Sequence, residues 1–274
     1  MRTQTIRLKE LYPFLGENDC DPTLELYLPH NYESRKDQKR PSILLCPGGG
    51  YRIVSTREAE PVALHFFPEG FNVYILTYST APNTFPTQLR EVAAAMEVIY
   101  ANAEEWNTDT NRIAIMGFSA GAHLSAHYSN AYHCPEVREV FPESKAVNGT
   151  ILCYPVITAE EHSRHNGSIQ KLSGHDPVLP EDVEKFSCEK LVTENTPPAF
   201  IWHTASDPVV PVNNSLLYAQ ALAAHQVPYE LHIYPYGKHG LSTADLWTNT
   251  EIPPEVACAA EWLTNLKRWL RSNI

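Results

Sequence analysis

Short apolar runs rich in β-branched and aromatic residues recur along the chain and are bounded by Gly, Pro, Asn or Asp. Residues 23–28, 42–46, 72–78, 112–117, 149–154, 199–204 and 229–234 read as strands, with 3–9 a weaker eighth. Between them the period lengthens. Leu89, Val92, Met96, Ile99 and Ala103 share one helical face, with Arg90, Glu91, Glu97 and Glu104 off it. Val256, Ala260, Leu263, Leu266 and Leu270 repeat in the same way after Pro253-Pro254, which predicts a C-terminal helix. Strands alternating with helices imply βαβ crossovers and a mainly parallel sheet with helices on both faces. The first two strands lack a helical pattern between them and are expected to form an antiparallel hairpin at one edge. Such doubly wound sheets carry their chemistry at the carboxyl ends of the strands, so the residues just after each strand matter most.

The chain has 274 residues, a length that fits one α/β domain, and no repeat or low-complexity linker divides it. With 43% hydrophobic and 19% charged residues it can bury a sizeable core. Its formal net charge of −11 argues against a nucleic-acid partner. No run of about 18 apolar residues occurs, and residues 1–9 lack the apolar stretch of a secretory signal. A cytoplasmic protein without a membrane partner is the expectation. Cys20, Cys46, Cys134, Cys153, Cys188 and Cys258 form no Cys-x-x-Cys pair, and Cys46 and Cys153 read as buried thiols within strands.

After the strand at 112–117 comes Gly117-Phe118-Ser119-Ala120-Gly121, followed by a helical stretch at 122–130. Gly-x-Ser-x-Gly between strand and helix places a serine on a tight turn above the sheet edge. It also puts the amide of Ala120 at a helix N-terminus, where an unpaired N–H can bind a developing oxyanion. A serine hydroxyl needs a base, and the base needs an orienting carboxylate. Asp207 follows the strand at 199–204, and His239 follows the last strand within Gly237-Lys238-His239-Gly240. The chain order is Ser, Asp, His. Pro47-Gly48-Gly49-Gly50-Tyr51 follows the strand at 42–46, so glycine amides stand ready as further oxyanion donors. Phosphate-cradling patterns are absent from this loop.

With these segments the chain resembles the α/β-hydrolase superfamily over nearly its whole length, and within it the acetylxylan-esterase-like carbohydrate esterases. Tyr78-Ser79-Thr80-Ala81-Pro82, Cys153-Tyr154-Pro155-Val156-Ile157 and Thr196-Pro197-Pro198-Ala199 also carry the likeness. The hormone-sensitive-lipase branch has a histidine before the three glycines where this chain has Pro47. The resemblance implies an α/β-hydrolase fold of about eight strands, with Ser119 as nucleophile, His239 as base then acid, and Asp207 as the orienting acid. Gly49, Gly50 and Ala120 are the implied oxyanion donors, and no metal or organic cofactor is implied.

Weaker signals complete the picture. His123 and His127 stand four apart on the helix after Ser119, but Leu124 occupies the place of the glutamate a zinc protease needs, so both read as packed histidines. Asp176, Asp245 and Glu230 are less well placed than Asp207 to serve as the acid. Tyr51, Trp202, Tyr236 and Trp247 lie near the strand-end loops as candidate sugar platforms. Residues 158–195, rich in His, Glu, Ser and Gly, read as a short polar cap. The expected function is a serine esterase removing short acyl groups, acetyl foremost, from a sugar or small alcohol such as an acetylated oligosaccharide. An amidase or peptidase of the same architecture and a non-catalytic binding protein are the alternatives.

Overall fold

The computed structural model describes residues 1–15 and 20–274. In chain order its elements are β1 (Arg2–Arg7), α1 (Leu8–Leu11), β2 (Thr23–Leu28), β3 (Arg40–Cys46), α2 (Glu60–Phe66), β4 (Asn72–Thr77), α3 (Thr87–Ala101) and β5 (Thr108–Phe118). There follow α4 (Ala120–Ala131), α5 (Pro135–Arg138), β6 (Gly149–Cys153), α6 (Asn166–Ser173), α7 (Pro180–Phe186), β7 (Ala199–Thr204), α8 (Asn213–Ala224), β8 (Tyr229–Tyr234) and α9 (Glu261–Asn273). The eight strands form one sheet in the order β1-β2-β4-β3-β5-β6-β7-β8. β2 runs antiparallel to both its neighbours, β1 and β4, and all pairings from β4·β3 onward are parallel.

β3 shows why an uninterrupted apolar run becomes a central strand. Ile43 and Leu45 pack to one side with Phe66 of α2 and Leu266 of α9, while Leu44 and Cys46 pack to the other with Met96 of α3 and Leu124 of α4. Alternate residues face opposite layers, and both layers are apolar, so every position from Ile43 to Cys46 must be. α8 joins the α3/α4 side through Tyr218 and Leu222, which cluster with Ile201 of β7. This is the α/β-hydrolase arrangement expected of the sequence.

Four details depart from the sequence pattern. A one-turn helix, α1, follows β1 directly, with Leu8 buried. β5 begins at Thr108, where an irregularity in its pairing with β3 between Arg40 and Ser42 absorbs the extra residues. The stretch after Pro253 is a 3₁₀ helix over Pro254–Ala260 before α9 begins. Glu91 is not on a solvated face: it is fully buried in α3 and accepts hydrogen bonds from the backbone N–H and the hydroxyl of Ser79. Burial raises its carboxyl to about 7. No helix among the described residues is long and apolar enough to cross a membrane.

His123 and His127 are buried in α4 as packed side chains. The Tyr51 hydroxyl meets His123 Nδ1 at 2.9 Å, and Nε2 lies 2.8 Å from the carbonyl of Phe186. His127 stacks on Phe85. Burial lowers His123 to about 4 and His127 to about 3 from the ordinary imidazole value of 6.5. Because the unfolded chain protonates these rings first, their share of stability is complete above about 6.5 and is lost as pH falls through the folded values. Glu91 acts oppositely, its share being lost as pH rises towards 7. Replacing His127 with Leu should therefore flatten the dependence of unfolding free energy on pH between 4.5 and 6.5 by about 1.4 kcal/mol per pH unit. Urea denaturation across that range measures it, and an unchanged slope would remove His127 from the acid response.

Candidate active site

Loops from the carboxyl ends of β3, β5, β7 and β8 converge on a cavity of about 500 Å³. Ser119 lies on the one-residue turn between β5 and α4 with φ 53° and ψ −117°, a region that costs a non-glycine residue free energy. The flanking glycines make the turn possible. A Cβ on Gly117 would stand 2.2 Å from the carbonyl oxygen of Gly121, and one on Gly121 would stand 2.1 Å from that of Cys46. No larger residue fits either place.

The Ser119 hydroxyl is 2.7 Å from His239 Nε2, and His239 Nδ1 is 2.7 Å from Asp207 Oδ2. Residues 120 and 32 positions apart in sequence thus form one hydrogen-bonded chain. The Asp207 side chain is fully buried. Its Oδ1 accepts the backbone N–H groups of Val209 and Val210. Burial alone would raise this carboxyl, but hydrogen bonds from His203 and His239 hold it well below the usual carboxylate range. It is therefore an anion next to His239 at neutral pH. The other acids considered are engaged elsewhere: Asp245 with Thr243 and the amides of Trp247 and Thr248, Asp176 with Gln170, and Glu230 with His232 and Arg268.

Gly49 and Gly50 line the same cavity as Ser119. Gly49 has φ 132°, and a Cβ there would stand 2.0 Å from the carbonyl oxygen of Ile53. The N–H of Gly48 is already used, donating to Glu58 Oε2 at 2.8 Å. Ala120 is the first residue of α4, whose leading amides have no partner within the helix.

Sequence reasoning missed two buried residues here. Glu58 accepts the Tyr154 hydroxyl at Oε1 as well as the Gly48 amide, so it ties the glycine loop to a ring that packs edge-on against His239 at 5.1 Å. His203 lies 3.3 Å from Asp207 Oδ2 through Nε2, which is also 3.1 Å from the Val210 carbonyl. Its Nδ1 meets the Ser215 hydroxyl at 2.8 Å. A ring with a carbonyl and a carboxylate at Nε2 must carry its proton there, so His203 donates to the acid that holds His239. Glu58 lies in no recognisable motif, because it works through Tyr154, 96 positions away. His203 sits in the strand run before Asp207, only four positions from it, but nothing in a strand pattern tells which way its ring turns.

The four aromatics offered as sugar platforms do not line the cavity. Tyr51 and Trp202 are corrected to core residues: both are 0% exposed, Tyr51 bonded to His123 and Trp202 stacked on Trp262 at 5.1 Å. Tyr236 and Trp247 are exposed, and Trp247 leans on His65. The 158–195 segment does reach the cavity, contributing His165, Gly167 and Lys171 from α6 and the residue before it.

Comparison with known proteins agrees with this architecture. The BD-FAE family profile matches residues 24–222. The chain is 39% identical over 232 residues, 82% of its length, to the endo-1,4-beta-xylanase B of Butyrivibrio fibrisolvens, and covers 35% of that protein. It is 30% identical over 227 residues, 81% of its length, to the acetylxylan esterase of Xylanibacter ruminicola, and covers 44% of it. The chain thus spans less than half the length of either relative. The crystal structure of an acetyl ester-xyloside bifunctional hydrolase from Caldicellulosiruptor lactoaceticus superposes with a TM-score of 0.85 at 32% identity, covering 98% of this chain and 96% of that one. The chain belongs to the BD-FAE family and has the α/β-hydrolase fold.

Proposed function

We propose that the protein is a serine carboxylesterase that removes short acyl groups, acetyl foremost, from a sugar or small alcohol. The observation that carries this reading is the chain from Ser119 Oγ through His239 to Asp207, at 2.7 Å in each link, opening on a cavity walled by Gly49 and Gly50. Ser119 attacks the ester carbonyl as His239 Nε2 takes its proton, and Asp207 stabilises the imidazolium that forms. The amides of Gly49, Gly50 and Ala120 hold the oxyanion. His239 returns the proton to the departing alcohol, leaving an acyl-Ser119, and then activates water to release the acid. Full-length likeness to an acetyl ester-xyloside hydrolase and likeness to an acetylxylan esterase support the acetyl assignment.

Acyl length tests it. Each methylene withdrawn from water contributes about 0.8 kcal/mol, close to fourfold in binding, provided that an apolar wall receives it. Here the apolar side chains lining the cavity are Ile53 and Val209, and the rest of the wall is polar, charged or glycine. Across p-nitrophenyl esters, kcat/KM should peak at acetate or propionate and decline by octanoate. A profile that climbs to octanoate would overturn the short-acyl assignment. Faster cleavage of peptide amides than of acetylated xylo-oligosaccharides would overturn the esterase reading.

A further inference from the structure

The charge lining the cavity is opposite in sign to that of the chain. Arg52, Arg57 and Lys171 line it together with Ser119 and His239, while among the described residues the only carboxylate there is Glu58. Glu58 is 3% exposed, and its two oxygens are occupied by the Gly48 amide and the Tyr154 hydroxyl. The protein as a whole carries −11. The cations also come from two separate parts of the chain. Arg52 and Arg57 sit on the loop after β3, and Lys171 sits on α6, which reaches this loop: a Cβ on Gly50 would stand 3.8 Å from the Ser168 hydroxyl. Arg57 donates through one nitrogen to the Thr248 carbonyl. The side chains of Arg52 and Lys171 have neither an ion pair nor a hydrogen bond among the described residues.

Arg52 and Lys171 are exposed cations on the wall of the cavity that holds Ser119, hydrated and, among the described residues, without a protein carboxylate to compete for them, so an anionic group on a ligand can take them up. A carboxylate or phosphate is such a group, and an arginine presents the fork that binds either one in two-point fashion. A cavity of about 500 Å³ is far larger than an acetyl group, so most of it is left to the alcohol. Resting on the esterase reading above, we infer that the favoured substrate is an ester whose alcohol part carries an anionic group, held by Arg52 and Lys171. Converging positive charge also raises the encounter rate with anions, an effect that salt screens.

The experiment compares kcat/KM for three acetyl esters: a neutral acetylated xylo-oligosaccharide, one of equal length bearing a uronic acid branch, and an acetylated sugar phosphate. At low salt, one or both anionic esters should be favoured over the neutral one by about tenfold, and the better of the two identifies the anion as carboxylate or phosphate. In 1 M NaCl, where the screening length falls to about 3 Å, the ratio should approach one. In the double variant Arg52→Gln/Lys171→Gln it should fall to near one even at low salt. A wild-type ratio at or below one overturns the proposal, as does a preference that survives in the double variant, and both leave the esterase reading standing. Hydrolysis of none of the three overturns the esterase reading and this proposal with it.

Discussion

Ser119→Ala should lower kcat for an aryl acetate by about 10⁴-fold or more while leaving the melting temperature within a few degrees of wild type. The variant deletes only the hydroxyl oxygen 2.7 Å from His239 Nε2. The backbone of the turn is held by bonds that alanine keeps: the Ser119 N–H donates to the Cys153 carbonyl, and the Ser119 carbonyl accepts from His123 and Val156. Fold and chemistry therefore separate at this position. Activity that survives would come from water attacking a carbonyl still polarised by the glycine loop, the residue of catalysis seen when a nucleophile is removed. An alanine variant within tenfold of wild type would exclude Ser119 as nucleophile. Loss of activity accompanied by a collapse in melting temperature would be read with Ser119→Gly, which relieves the positive φ as it removes the same hydroxyl.

How far the sequence anticipates the molecule depends on the range over which each signal acts. Strands buried on both faces announce themselves locally, since Ile43, Leu44 and Leu45 each meet an apolar layer and none can be polar. The serine turn is legible as well: Gly117 is required by its contact with Gly121 across the turn, and Gly121, though required by the distant end of β3, stands two residues from Ser119 in a recognisable pattern. Glu91 shows where such reading stops. Its helical position places it beside solvated residues, yet the loop after β4 folds over it and spends its carboxylate on Ser79. Tyr51 and Trp202 fail for the same reason. Both sit beside functional loops in sequence, but their rings turn inward to pair with α4 and α9, elements 72 and 60 residues away. The basic rim is invisible along the chain, since Arg52 and Lys171 become neighbours of one cavity only when α6 lies over the glycine loop. Composition points the other way, because an overall charge of −11 gives no hint of a cationic site.

Asp207→Asn should cost about 10³- to 10⁴-fold in kcat, nearly as much as loss of the nucleophile, although it changes one oxygen for a nitrogen. The reason lies in how the carboxylate is held. Oδ1 accepts two backbone N–H groups, from Val209 at 2.8 Å and Val210 at 3.0 Å. An asparagine must keep its carbonyl oxygen there, because turning its NH₂ towards two N–H donors would set donor against donor and lose both bonds. Its NH₂ is then fixed at the Oδ2 position, 2.7 Å from His239 Nδ1. His239 Nδ1 must become the acceptor and the ring proton moves to Nε2, so the nitrogen facing Ser119 already carries a proton and cannot take another. The same NH₂ meets His203 Nε2–H, which points at Oδ2 and the Val210 carbonyl, so the supporting histidine is disturbed in the same direction. Activity of the variant should recover partly as pH rises, when hydroxide can replace the missing general base, whereas the Ser119→Ala variant should show no such rise from an acyl-enzyme route. A harmless Asp207→Asn together with a crippling Asp245→Asn or Asp176→Asn would move the acid to another residue. The expected counter-result is that both of those substitutions leave kcat within a fewfold of wild type, since Asp245 is committed to Thr243 and the amides of Trp247 and Thr248, and Asp176 to Gln170.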